Sequence, residues 1–307
     1  MKLSGVIPPV CTPRGADGAL DRASLSRLCH HLVDDGVSGL FVGGSSGETA
    51  LLDASTRLAA LDVAVEAAAG RVPVLYGVIE TGTARVLEAA RPAAAHGAAA
   101  IVATVPFYVA PHPAEILAHF EALAGGELPV VAYDIPSATH VRLEPAVSIA
   151  LAREGYAIGL KDSSGDLAGM RSVVNAVRDL PFSVLTGSET MADIALDLGA
   201  DGIVPGLGNV DPAGYVRLYS AARAGDRVAA AAEQARLTKL FGIVDVADRT
   251  RIGFTAGALG AFKEALAYQG WIDSPSMWPP LGALDDVEKK AVRELVAQAS
   301  GRGGGLG

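Results

Sequence analysis

Cysteine is almost missing from this 307-residue chain. With only Cys11 and Cys29 present, no disulfide framework can form, and a reducing compartment, the cytoplasm, is expected. Positive charge is scarce too: 25 Lys and Arg face 34 Asp and Glu, a formal charge of −9. That balance removes the basic footprint that phosphate-backbone binding demands, so nucleic acid is not an expected partner. No apolar run approaches the roughly 20 residues that span a bilayer, because Gly, Asp, Arg or Pro interrupts each one. The positive mean hydropathy of +0.33 is therefore assigned to a buried interior and not to a membrane. The opening MKLSGVIPPV carries one charge and meets prolines at once, unlike a secretory leader. Metal-site patterns are missing as well. His30 and His31 diverge as helix neighbours, His112 and His119 stand seven apart, and His96 and His140 are isolated. No HExxH and no paired CxxC occurs, so neither a metal nor a separate cofactor is expected.

What is present is a rhythm. Short apolar or β-branched runs at 5–10, 39–42, 74–79, 100–105, 129–135, 158–161, 183–185 and 202–204 read as buried strands. Longer Ala/Leu/Arg stretches of helical spacing separate them. Asp21 and Asp53 are placed to cap helix starts, Pro145 suits a first turn, and Gly36, Gly70, Gly97 and Gly199 suit left-handed helix ends. Eight such units match a (β/α)8 TIM barrel. A doubly wound open sheet uses the same alternation, but no GxGxxG follows the first strand. We expect a barrel over residues 1–225 and a helical C-terminal extension over 226–299. The Gly-rich end, 300–307, reads as a flexible tail.

Barrel chemistry belongs at the C-terminal strand ends and the loops beyond them. The polar residues there are Ser45, Ser46, Glu48, Tyr108, Tyr133, Asp134, Lys161, Asp162, Thr186, Ser188, Glu189 and Asn209. Lys161 is the most informative. Apart from Lys2 it is the only lysine before residue 239, every other basic residue of that region is Arg, and it interrupts an apolar run. A structural lysine would pair with a carboxylate such as Asp162. A lysine amine can also attack a carbonyl, which a guanidinium cannot, and that reading is preferred. The small-residue turn GGSSGE, Gly43 to Glu48, could present amides and two hydroxyls to an anion, or could be an ordinary capped turn. No lysine follows in Walker spacing, so a carboxylate is a better guest than a phosphate. Tyr133 sits at a strand end just before a proline break, where its hydroxyl must find a partner.

With these residues assembled, the chain resembles the dihydrodipicolinate synthase / N-acetylneuraminate lyase family of pyruvate-handling aldolases. The resemblance runs from GVIPPVCTP through GGSSGE, PFY, YDIPS, GLKDSSGD, TGSE and GADGIV to AFKEAL and PPL. It implies that Lys161 forms the Schiff base, with no cofactor beyond that covalent imine. Ser45, Ser46 and the Gly44 amide region would hold a 2-oxo acid carboxylate, Tyr133 would act as acid/base, and Tyr108 would relay protons into a neighbouring subunit. Val204 would line the site; Asp134, His140, Thr186, Ser188 and Glu189 would be candidates for the aldehyde half. The expected partners are a small 2-oxo acid, an aldehyde, and further copies of the chain in a dimer or dimer of dimers.

Where the synthase branch carries an arginine after the YxxPS serine, this chain has Ala138. KDSSGD is closer to keto-deoxy-sugar-acid and hydroxy-oxo-acid aldolases. The expected activity is therefore a class I, metal-independent aldolase or lyase acting on a 2-keto-3-deoxy sugar acid or 4-hydroxy-2-oxo acid. A dehydratase or hydratase-aldolase, a condensing synthase, and a non-catalytic oxo-acid-binding barrel are the alternatives.

Overall fold

The parallel strands are short and buried end to end, as a sheet covered on both faces requires. The computed structural model describes residues 1–299; the expected tail at 300–307 lies outside the described residues. The strands are β1 (Gly5–Val6), β2 (Leu40–Val42), β3 (Val74–Gly77), β4 (Ala100–Thr104), β5 (Val130–Asp134), β6 (Gly159–Asp162), β7 (Ser183–Thr186) and β8 (Gly202–Ile203). Consecutive strands pair in parallel from β2 to β8, and β8 pairs with β1. The ring closes through Ser38 N–H donating to Val6 O (2.7 Å), Phe41 N–H to Pro8 O (3.0 Å) and Val10 N–H to Phe41 O (2.8 Å). This is the expected TIM barrel.

The outer helices are α1 (Arg22–Asp34), α2 (Ala54–Ala68), α3 (Thr83–Ala90), α4 (Pro113–Ala124), the one-turn α5 (Pro136–Thr139), α6 (Pro145–Glu154), α7 (Leu167–Val177), α8 (Ala192–Asp197) and α9 (Pro212–Arg223). Asp21 and Asp53 accept from the amides of Ser24 and Thr56, closing the first turns of α1 and α2 as their positions suggested. Three more helices follow: α10 (Arg227–Phe241), α11 (Phe254–Gln269) and α12 (Asp286–Ala299). Two apolar cores result. A small one fills the barrel with Ile7, Phe41, Leu75, Val102, Val131 and Leu185 among others. The larger one lies between strands and helices and continues into α11 and α12.

One polar contact ties the third layer to the barrel mouth. Lys263 of α11 and Glu48 of the GGSSGE turn form an ion pair in which neither side chain has any exposure. Lys263 also donates to Ser276 O (2.9 Å), and Glu48 Oε2 accepts from Trp278 N–H (3.0 Å). Burial of two charges is tolerated because each also has a backbone partner; removing one would strand the other. Lys263→Met is expected to destabilise the protein by about 3–5 kcal/mol in urea unfolding. Adding Glu48→Gln, which keeps an acceptor for Trp278, is expected to recover most of that loss. A double variant as unstable as the single one would contradict this account.

Candidate active site

Side chains alternate between the two faces of a strand, so at each strand end only one of two neighbours can point into the barrel. Across β4 to β7 the aligned residues Thr104, Tyr133, Lys161 and Leu185 form one layer. Tyr133 and Leu185 belong to the barrel's inner core, which fixes that layer as inward. The next layer, Asp134, Asp162 and Thr186, points outward.

Several of the residues singled out in the sequence lie outside the cavity. Asp134 accepts from Leu143 N–H (3.0 Å) and from Arg142 Nε (3.1 Å), away from the cavity. Burial pushes its carboxyl up to about 6, against the pull of the Leu143 amide and Arg142. Thr186 is fully buried, and its hydroxyl accepts from Ser188 N–H (3.1 Å), so neither residue lines the cavity. His140 caps α5 in the left-handed region (φ 56°) and is exposed outside the cavity. Asn209 accepts from Cys11 N–H (3.0 Å) and donates to Pro9 O (2.9 Å) and Gly206 O (2.8 Å), tying the segment after β1 to the loop after β8. Tyr108 is 96% exposed at φ 76°, also outside the cavity.

Lys161 is only 4% exposed. Its Nζ lies over the ring of Tyr133 (4.0 Å to the centroid) and near that of Phe41 (4.9 Å). Among the described residues it makes no ion pair and no hydrogen bond. Asp162, the partner a structural lysine would have taken, instead accepts from Ser164 N–H (2.8 Å) on the far side of the strand. An unpaired amine in an aromatic cradle is a poor device for stability and a good one for chemistry.

The GGSSGE turn lies beside it. Gly43 adopts φ 72°, and a Cβ at Gly44 would sit 2.7 Å from the Phe41 ring, so neither position tolerates a side chain. The amides of Gly47, Glu48 and Thr49 are used inside the turn. Ser45 and Ser46 line the cavity, and their own amides have no partner among the described residues. A Cβ placed on Gly206 would lie 2.8 Å from Glu189 Oε1 and 3.2 Å from Ser46 Oγ, so these groups converge from β7, β8 and the β2 loop. Glu189 Oε1 accepts from Leu207 N–H (2.7 Å) and also from the Gly206 amide. Burial pushes its carboxyl up to about 7, opposed by those amides and by the Lys161 charge.

Lys161, Tyr133, Ser45, Ser46, Glu189 and Val204 thus share one cavity of about 660 Å³ at the C-terminal end of the barrel. Its roof comes from the helical C-terminal extension. Phe241, Val244, Phe254, Ala258, Leu259 and Phe262 of the C-terminal helices cover it. The AFKEAL motif was the available signal, yet nothing local shows that α11 folds back over the strands. Thr49 and Thr104 were also missed; each lines the cavity with a buried hydroxyl that has no partner among the described residues.

The model of the dihydrodipicolinate synthetase family matches residues 2–299. The chain belongs to that family. It is 38% identical to a 4-hydroxy-tetrahydrodipicolinate synthase of Stenotrophomonas maltophilia over 77% of this chain and 80% of the relative. It is 31% identical to the synthase of that name from Methanoculleus marisnigri, over 95% of this chain and 98% of the relative. A solved Escherichia coli prophage protein of the same family, in complex with pyruvate, superposes with a TM-score of 0.89 at 32% identity, covering 97% of this chain and 99% of the other. The chain is therefore an enzyme of the lyase and synthase kind, in a family that carries pyruvate as a lysine imine without a metal. The relatives' names favour the condensing synthase alternative; none supports the expected nearness to the keto-deoxy-sugar branch. No helix among the described residues is long and apolar enough to cross a membrane.

Glu189 yields a pH prediction. In the folded protein its proton persists to about pH 7, whereas an unfolded carboxyl releases it near its usual value of 4.5. The folded state binds the proton more tightly, so the contribution is fully present at low pH and lost as pH rises through that window. Glu189→Gln keeps the acceptor for Leu207 and removes the titration. Urea midpoints of this variant are expected to fall less than the wild type's between pH 4.5 and 7; parallel curves would refute the assignment.

Proposed function

We propose that the protein forms or cleaves a carbon–carbon bond between pyruvate and an aldehyde through an imine at Lys161. The observation that carries this reading is the buried, unpaired Lys161 amine, set against Tyr133 and beside the free amides of Ser45 and Ser46. The amides and hydroxyls of that turn suit the pyruvate carboxylate. The Lys161 nitrogen attacks C2 and water leaves, giving an imine that draws electrons from the neighbouring methyl carbon. Loss of a methyl proton gives an enamine, whose carbon bonds to the aldehyde carbon while the aldehyde oxygen takes up a proton. Water then releases the 4-hydroxy-2-oxo acid and restores Lys161. Tyr133 is the acid/base group, because its ring lies under the amine and its strand end faces the cavity. The names of the relatives support the condensing direction.

The chain also acts as an oligomer in this reading. Tyr108 is held at positive φ beside Val109, itself 62% exposed, and a second copy placed there would receive a phenol otherwise aimed at water. The expected assembly is a dimer or dimer of dimers, and a fully active monomer in sedimentation would contradict it.

Trapping tests the imine. Pyruvate and borohydride are expected to add one reduced pyruvate to the peptide containing Lys161 and to none in Lys161→Ala, which should lose all turnover. Tyr133→Phe should still be trapped but should turn over about 10²–10⁴-fold more slowly. Unchanged turnover in that variant would remove Tyr133 from the acid/base role.

A further inference from the structure

The cavity is far larger than pyruvate needs, and its wall is mostly apolar, with the hydroxyls of Ser137, Ser163 and Thr255 set among the apolar side chains. Among the described residues, Lys161 is the only Lys or Arg lining it. The two carboxylates in its wall are occupied: Glu48 by Lys263 and Trp278, Glu189 by the amides of Gly206 and Leu207. The guanidiniums of Arg142 and Arg249 are engaged by other groups, Arg249 with Asp245 among them. Arg142 pairs with Asp134 and Asp166; Arg249 stacks on Phe254 (4.4 Å to the ring centroid) and donates to Val244 O (3.0 Å). At Ala138, beside the mouth, there is a methyl group.

One face of α11 supplies the continuation. Phe254, Ala258, Leu259 and Phe262 recur at helical spacing and all line the cavity. Their burial is graded: Phe262 is 4% exposed, Leu259 8%, and Phe254, at the mouth, 59%. A Cβ at Gly206 would lie 2.9 Å from the Phe262 ring and 2.8 Å from Glu189 Oε1, so the inner end of this stripe reaches the depth of the carboxylate site. Phe107, Ile79 and Ile135 line the cavity from the strand loops.

We propose that the second substrate is an uncharged aldehyde with an apolar tail, aryl or branched alkyl, lying along the α11 stripe between Lys161 and Phe254. This rests on the pyruvate-imine reading above and specifies its partner. An anionic aldehyde would bring its carboxylate to a wall with no available cation, and desolvation of that charge would go uncompensated. A polyhydroxylated chain would lay hydroxyls against Leu259 and Phe262, while an apolar tail gains from burial there. The product is the 4-hydroxy-2-oxo acid bearing that tail: C3 of pyruvate bonds to the aldehyde carbon, whose oxygen becomes the hydroxyl, with no external oxidant or reductant.

The test combines trapping with competition. One portion of purified enzyme is trapped with pyruvate and borohydride; a separate, untreated portion is assayed with pyruvate and benzaldehyde, 3-methylbutanal, glyceraldehyde or succinic semialdehyde. We expect kcat/KM for the first two aldehydes to exceed that for the last two by about tenfold or more, the discrimination one hydrophobic contact can supply. Ala138→Arg should lower the benzaldehyde-to-succinic-semialdehyde ratio at least about tenfold, by giving the carboxylate a charge-assisted partner. A trapped adduct with preference for glyceraldehyde or succinic semialdehyde would overturn the apolar assignment and leave the imine reading standing. Absence of the adduct would overturn both.

Discussion

A lysine and a glutamate, both sealed from water, join the roof of the cavity to its floor. Glu48 ends the turn that presents Ser45 and Ser46, and Lys263 sits mid-way along α11. Because the charges neutralise one another only when the helix lies over that turn, the pair couples the docking of α11 to the shape of the turn. Trp278 adds a second strand to this tie, its backbone N–H donating to Glu48 and its indole N–H to Thr12 O (3.1 Å). Apolar contact alone holds helices with little preference for register; a buried ion pair with fixed backbone partners specifies one. The C-terminal helices thus supply part of the cavity's wall, apolar except for Thr255.

Strand pleating is the second constraint. Tyr133 and Asp134 are adjacent, as are Lys161 and Asp162, yet the members of each pair serve different compartments. The inward layer contains the amine and the phenol. The outward layer holds carboxylates that pin loops: Asp134 fixes the segment at Arg142 and Leu143, and Asp162 the turn at Ser164. The same alternation keeps a carboxylate away from Lys161 Nζ, so the amine that interrupts an apolar strand is left without an ion pair. Glu189, which feels the Lys161 charge, is held by backbone amides while burial pushes its carboxyl up to about 7.

These two constraints explain why a relative's name and the cavity wall address different questions. Family membership fixes the barrel, the imine chemistry and the pyruvate half, all of which depend on residues near the strand ends. In the proposed reading the aldehyde half is built from α11, the loops around Phe107 and Ile135, and Ala138, which line the cavity outside the strands. Specificity in such a fold follows from loop and cap chemistry, because the strands are already committed to packing.

Much was legible in the sequence itself. The eight strands, the helix caps at Asp21 and Asp53, the left-handed glycines at helix ends and the exceptional Lys161 all follow from local rules: periodicity, capping chemistry and residue type. Lys161, Tyr133, Ser45 and Ser46 emerged because strand-end position and chemistry pointed to the same residues. Position along a strand does not reveal facing, however, so Asp134 and Thr186 looked as eligible as their inward neighbours until pairing register fixed which face lay inside. The pairing of Glu48 with Lys263, 215 residues further along the chain, leaves no local trace either. Sequence determined which elements form and which amine is unusual, since those depend on near neighbours. Tertiary structure decided which side chains meet and what roofs them, since that depends on how strands register and where a distant helix docks.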